Sequence, residues 1–428
     1  MPESLRPVSR YPIQMLILTS TGKFLQIASN NEAMNSLNSN TTDNARRHLP
    51  KYALIIPAST ILILLGIMVI NPVFYRIVIY NFSDIDDYKI FDNRTLTASQ
   101  TPFTFAINKN SINLPEQVPT EDNLLVTLDR FLTDTNTLAF LVIKDDAIVY
   151  EKYLDGHTET SISIVFSVTK AFTSALIGAA LQDAYIQNLQ QPVTDYIPEL
   201  KDRGFEKVKL LHLLQMTAGM DYPDNGLFNS PFGKQAFLTY TPSIEDELSD
   251  IELDIEPGTQ FRYQSVNYAL LALVLKRAMK NKTLTEYLQQ RFWTPLGMEH
   301  DGLWSVDHLP DGLEKSWCCL NMTARDLAKF GRLYLNKGMW NGVEILPADW
   351  IQQSTAIDVK EGSKKIYQLG WWIMSPESGD YRAEGVRGQF LYINPEKNLI
   401  IVRLGKNRGG LEWITWKNFF SYFARHIN

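Results

Sequence analysis

The rhythm of apolar and polar positions changes several times along the chain. From Tyr52 to Tyr75 there is no polar rhythm: YALIIPASTILILLGIMVINPVFY carries no charge. That run exceeds the roughly 20 apolar residues with which a helix crosses a bilayer. It reads as a retained transmembrane anchor, being long for a core helix or the apolar segment of a signal peptide. Residues 1–51 include the Asn/Ser-rich SNNEAMNSLNSNTTDN, hold too little apolar surface to offset the entropy of ordering, and read as a disordered tail. Residues 76–120 alternate strand-like pieces with polar loops and read as a tether leading into a body over 121–428.

Within the body, LAFLVIKDDAIVYEKYLDG carries β-rich runs on both sides of Asp145-Asp146, a hairpin pattern. From Ser167 onward, KAFTSALIGAALQDAYI is too long and too Ala-rich for a strand and predicts a buried helix. The middle, about 186–350, reads mostly as helices and loops, with VKLLHLLQM, NYALLALVLKRAMK, LTEYLQQRFWTPLG and TARDLAKFGRLYLNKG as the helical stretches. QFLYINP and NLIIVRLG then read as antiparallel strands, and LEWITWKNFFSYFARHIN as a closing helix. Strands at both ends around a helical middle predict an α+β (α/β/α) domain. Its N- and C-terminal strands share one antiparallel sheet, flanked by helices and a mostly helical subdomain.

Charge refines the topology. Arg46, Arg47 and Lys51 precede the apolar run, whereas Asp84, Asp86 and Asp87 follow it, so the positive-inside rule keeps the N-terminus cytoplasmic. The expected location is single-pass in the inner (plasma) membrane, with the body periplasmic or extracellular. The net charge of -6 over 428 residues, without a dense Lys/Arg stripe, argues against nucleic acid as a partner. The histidines show no H-E-x-x-H spacing and there is no C-x-x-C, so no metal is expected. Adjacent cysteines close a disulfide only through a strained ring, so Cys318 and Cys319 read as two small buried residues.

The chemistry concentrates in two segments. In ISIVFSVTKAFTSALIG, Ser167 heads a helix and Lys170 follows at i+3 on the same face. A serine hydroxyl attacks well only when a base takes its proton, and lysine serves once burial and the positive helix end disfavour its ammonium. In EPGTQFRYQSVNYALLALVL, a Pro257-Gly258-Thr259 turn delivers Tyr263 and Ser265 just before a helix. A phenol there can relay a proton to a leaving group. S-x-x-K alone is a weak signal and the tyrosine loop alone reads as core; their order along the chain strengthens both.

The sequence SVTK, then PGTQFRYQSVNYALL, then EGVRGQFLYINP resembles the serine β-lactamase and penicillin-binding superfamily, in its class C-like branch. HLLQMTAGMDY and TARDLAKFGRLYLNKGMWNG are similar to further segments of that branch, and the likeness runs from about 138 to 425. Tyr-x-Ser-Val-Asn and Gly-x-x-Gly-Gln look most like the 6-aminohexanoate-dimer hydrolases. The resemblance implies Ser167 as acylated nucleophile, Lys170 as its base and Tyr263 as proton relay, with no cofactor.

Ser265 replaces the usual asparagine, which favours an amide or ester over a β-lactam. Ala383-Glu384-Gly385 and Arg387-Gly388-Gln389 both stand where Lys-Thr-Gly or His-x-Gly is usual. Gly385 and Val386 are expected to complete an oxyanion hole with the Ser167 amide. Arg387 either binds a substrate carboxylate or pairs with Glu384. Trp371 and Trp372 either wall the pocket or belong to the core. The expected function is therefore membrane-anchored amide or ester hydrolysis. The alternatives are a penicillin-binding or sensor-type receptor acylated without turnover, or a true β-lactamase.

Overall fold

Asp145 and Asp146, both at positive φ, close the hairpin that the alternation predicts, joining β1 (Thr137–Lys144) to β2 (Ala147–Tyr153). The structure is a computed structural model describing Gly66 and residues 71–80, 83–108, 112–122, 124–223, 233–280, 282–375 and 378–427. The tail expected at 1–51 and the anchor expected at 52–75, apart from Gly66 and residues 71–75, lie outside these residues. Among the described residues no helix is long and apolar enough to cross a membrane. Pro72–Tyr80 is a helix of 9 residues.

The chain ends meet in one sheet, as the pattern implies. β3 (Tyr381–Gly385), β4 (Gln389–Asn394) and β5 (Leu399–Gly405) run antiparallel in that order, and β5 pairs with β1. Short strands extend this to an eight-stranded sheet, with Ala106–Ile107 added parallel to β2 at one edge. Side-chain alternation divides the two faces. Leu141, Ile143, Leu391, Ile400 and Val402 join the large core beneath the helical region. Phe140, Val142, Phe390, Tyr392 and Ile401 pack against Trp416, Phe419, Phe420 and Phe423 of the closing helix α4 (Trp413–His426).

On the large-core face lie α1 (Thr169–Gln182), α2 (Val266–Met279) and α3 (Ala324–Leu335). Every residue of α1 from Thr169 to Ala180 is buried, including Lys170 and Thr173, whose polar atoms are hydrogen-bonded within the protein. The T-A-x-D segment proves to be a helix start: Thr323 caps α3, its Oγ1 accepting from the Asp326 amide at 3.2 Å.

Two regions depart from the expectation. The middle is not wholly helical, because Gly302–Val306 and Leu320–Met322 lie in a second, four-stranded sheet with Asp92–Leu96 and Ser163–Ile164. The 76–120 segment packs along the body: Asp92–Leu96 pairs with Gly302–Val306, and Ile77 and Phe91 are buried with Tyr240. Short polar-apolar pieces carry no period that distinguishes such a strap from a free linker.

Arg403 of β5 is fully buried, stacks on Trp416 at 4.2 Å, and donates to Thr137 Oγ1, to the carbonyls of Thr135 and Asn407, and to that of Gly388. It thereby ties the turn after β3 to the sheet. Arg403→Ala would strand these acceptors and is expected to cost about 3 kcal/mol, read as a lower urea midpoint at unchanged slope; an unmoved midpoint would contradict this role.

Candidate active site

The strand Ser163–Ile164 feeds a 3-10 turn, Phe166–Val168, that leads directly into α1. Phe166 takes a positive φ of 46°, a conformation that non-glycine residues adopt only where the surroundings impose it. This turn sets Ser167 at the head of α1 with Lys170 one turn on. Lys170 Nζ lies 3.0 Å from Ser167 Oγ, 3.3 Å from Ser265 Oγ and 2.9 Å from the Trp317 carbonyl, and the residue is 1% exposed. It also lies 5.1 Å from the centroid of the Tyr263 ring. Four of the residues singled out from sequence thus meet around one side-chain nitrogen. The Trp317 carbonyl joins them, and no side-chain motif could have announced it.

The tyrosine loop is held from below by the HLLQMTAG segment. Gly258 N donates to Thr217 O at 2.8 Å and Arg262 N to Met216 O at 2.8 Å. A Cβ on Gly258, whose φ is +79°, would stand 2.9 Å from His212 Nε2, so only glycine fits this approach. His212 in turn meets Glu361 at 2.7 Å. The segment that resembles the family is therefore a cradle for the loop carrying Tyr263. Tyr263 itself is half-buried between Tyr367 and Trp372.

β3 ends against the Ser167 backbone. A Cβ on Gly385 would come within 2.5 Å of the Val165 carbonyl and 3.1 Å of the Ser167 amide nitrogen, so glycine is what allows the strand this close. Gly385 therefore lies against the Ser167 amide, and Val386 lines the same cavities as Ser167. Arg387 does not pair with Glu384. Its guanidinium donates to the Ser83 carbonyl, 2.8 Å from Nε, while Glu384 pairs with Arg382 at 2.6 Å. Alternation along β3 puts residues 382 and 384 on one face, and the turn after Gly385 directs Arg387 elsewhere.

Two cavities open on Ser167, Tyr263 and Val386. One, of about 200 Å³, is walled by Phe166, Trp317, Cys318 and Cys319 and, on its far side, by Ser83, Asp87 and Phe91. The other, of about 530 Å³, is lined by Trp372, Arg382, Glu384, Trp413 and Lys417. Arg387 lines neither. The two tryptophans divide between the alternatives: Trp371 is core against Tyr334 and Trp372 is wall. Cys318 and Cys319 correct the reading as separate thiols, since they are joined by a disulfide. The ring that discourages such a bond is accommodated where Cys319 adopts a φ of 73°.

A serine hydroxyl hydrogen-bonded to a buried amine, a phenol beside it and a glycine strand against the serine amide can together support acyl transfer. Asp87, read from sequence only as a topology signal, adds an acid to the smaller cavity. Burial, helped by the charges of Asp84 and Asp86, pushes its carboxyl up to about 7, against the Asp84 amide and Arg387.

The unfolded chain ionises this group from about pH 4, whereas the folded chain holds the proton until about 7. Stability relative to Asp87→Asn is therefore greatest in acid, falls across that interval and is level above it. Urea midpoints of both proteins through this range check it; parallel curves would refute it.

A family model described as Beta-lactamase matches residues 127–411. The chain is 26% identical over 299 residues to the 6-aminohexanoate-dimer hydrolase of Paenarthrobacter ureafaciens, covering 65% of this chain and 75% of that one. A solved structure from Bacillus anthracis, provisionally named a 6-aminohexanoate-dimer hydrolase, is similar with a TM-score of 0.71 and 27% identity, over 81% of this chain and 94% of that one. A penicillin-binding protein from Bacillus halodurans shares the fold at a TM-score of 0.56 and 19% identity, over 70% of this chain and 99% of that one. Because the family match spans well over half of its length, this chain belongs to the β-lactamase and penicillin-binding superfamily of serine hydrolases, and among its relatives are the 6-aminohexanoate-dimer hydrolases.

Proposed function

We propose that the protein cleaves a small amide or ester through an acyl-enzyme on Ser167. The observation that carries this reading is the buried Lys170 amine, 3.0 Å from Ser167 Oγ. Ser167 Oγ attacks the substrate carbonyl as its proton passes to Lys170 Nζ. The oxyanion forms against the Ser167 amide and the backbone at Gly385 and Val386. The leaving amine or alkoxide takes a proton through Tyr263, and water then releases the acid and frees Ser167. Ser265 Oγ accepts from the same Lys170 nitrogen at 3.3 Å. The similarity to an enzyme named for a 6-aminohexanoate dimer favours linear amides as substrates.

Membrane attachment belongs to the same proposal. It is supported by the uncharged run at 52–75 and by Arg46, Arg47 and Lys51 ahead of it. The hydrolase is then single-pass in the inner (plasma) membrane, with its body periplasmic or extracellular.

Full-length protein in detergent is expected to turn over p-nitrophenyl esters and short linear amides repeatedly, with nitrocefin a poor substrate. Ser167→Ala and Lys170→Ala should each lower the rate by a factor on the order of 10³ or more. A single stoichiometric burst without steady state would instead support an acylated receptor. Tyr263→Phe should slow amides far more than p-nitrophenyl esters, because p-nitrophenolate leaves without a proton; equal losses would remove Tyr263 from the relay. The anchor predicts that the full chain stays in the membrane pellet after alkaline carbonate washing, and release into the supernatant would refute it.

A further inference from the structure

The segment from Trp317 to Leu320 binds the Ser167 region at both of its ends. The Trp317 carbonyl accepts from Lys170 Nζ at 2.9 Å. Two residues past the carbonyl's peptide, Leu320 N donates to Thr169 Oγ1 at 3.2 Å and Leu320 O accepts from Val165 N at 2.9 Å. From there the strand Leu320–Met322 registers against Ser163–Ile164, which feeds Ser167. Between the two ends stand Cys318 and Cys319, joined to each other and lining the cavity that also holds Ser167. They are the only cysteines in the chain, so no internal thiol can exchange with them.

We propose that the Cys318–Cys319 disulfide is a thiol-exchange site inside the substrate pocket, through which a small dithiol switches the Ser167 centre to a slower state. A thiolate of the dithiol enters the cavity and attacks one sulfur. The Cys318–Cys319 bond breaks, a mixed disulfide forms, and the second thiol of the reagent closes its own ring to release it. The dithiol is oxidised by two electrons, and Cys318 and Cys319 each end as a thiol. Opening the ring removes one restraint on the backbone at Cys319, which lies in the left-handed region, and leaves the hydrogen bonds to its carbonyl from Ser305 N and Asn321 Nδ2. The Trp317 carbonyl is then held less tightly relative to Leu320, and Lys170 is positioned less tightly by that oxygen. The disulfide is thus a positioning group that acts through Lys170, and this consequence rests on the hydrolase reading above.

The test uses full-length protein in detergent with dithiothreitol, followed under non-denaturing conditions by thiol titration, intact mass and p-nitrophenyl ester kinetics. Two thiols per chain are expected to appear as kcat falls roughly ten- to a hundredfold with KM little changed, and reoxidation should restore the rate. A Cys318→Ser, Cys319→Ser double variant should sit at the reduced rate and ignore the dithiol. Thiols that appear without a change in kcat, or no thiols appearing before unfolding, would each overturn the proposal. An untreated protein without ester turnover would instead overturn the hydrolase reading, and the kinetic consequence with it. If the double variant does not fold, the wild-type titration alone still decides.

Discussion

Everything near Ser167 depends on how one side-chain nitrogen is buried. Lys170 sits inside the core with oxygens from three parts of the chain around its nitrogen. A charged or proton-accepting amine buried this far survives only where hydrogen-bond partners are supplied around it. That requirement couples the head of α1, the tyrosine loop and the Trp317 segment, because each must arrive within hydrogen-bond reach of the same atom. The large sheet, the cradle under Gly258 and the capped start of α3 serve as the frame that brings them there.

The frame was legible in the sequence to the extent that it is periodic. The hairpin at Asp145-Asp146, the β4 and β5 strands, the apolar α1 and the aromatic face of α4 follow from alternation, turn chemistry and helical spacing. Ser167, Lys170, Tyr263 and Ser265 were found because short motifs carried them in order. What escaped were contacts in which residue identity has no say. Trp317 contributes a backbone carbonyl, which every amino acid possesses. Arg387 was expected to meet a substrate carboxylate or its sequence neighbour Glu384, and the fold supplied another partner, the carbonyl of Ser83.

The cysteine pair shows a different limit. Ring strain was a sound reason to discount bonding between neighbours, yet it speaks only of an isolated dipeptide. In the folded chain Cys319 sits in a backbone conformation that the surrounding hydrogen bonds also support, with its carbonyl accepting from Ser305 N and Asn321 Nδ2, each at 3.0 Å. Local propensity sets a price that tertiary context can meet, and the sequence does not say where.

The strap formed by Ser83, Asp87 and Phe91 closes one side of the smaller cavity, whereas the family match begins only at residue 127. Part of this pocket is therefore built from chain that precedes the span matched by the family model. Two proteins could carry the same serine, lysine and tyrosine in the same geometry and yet differ in the acyl groups they admit, because this wall comes from a segment far in sequence from the reacting residues. Removing the chain ahead of residue 127 would therefore take away one wall of the cavity while leaving Ser167, Lys170 and Tyr263 in the sequence.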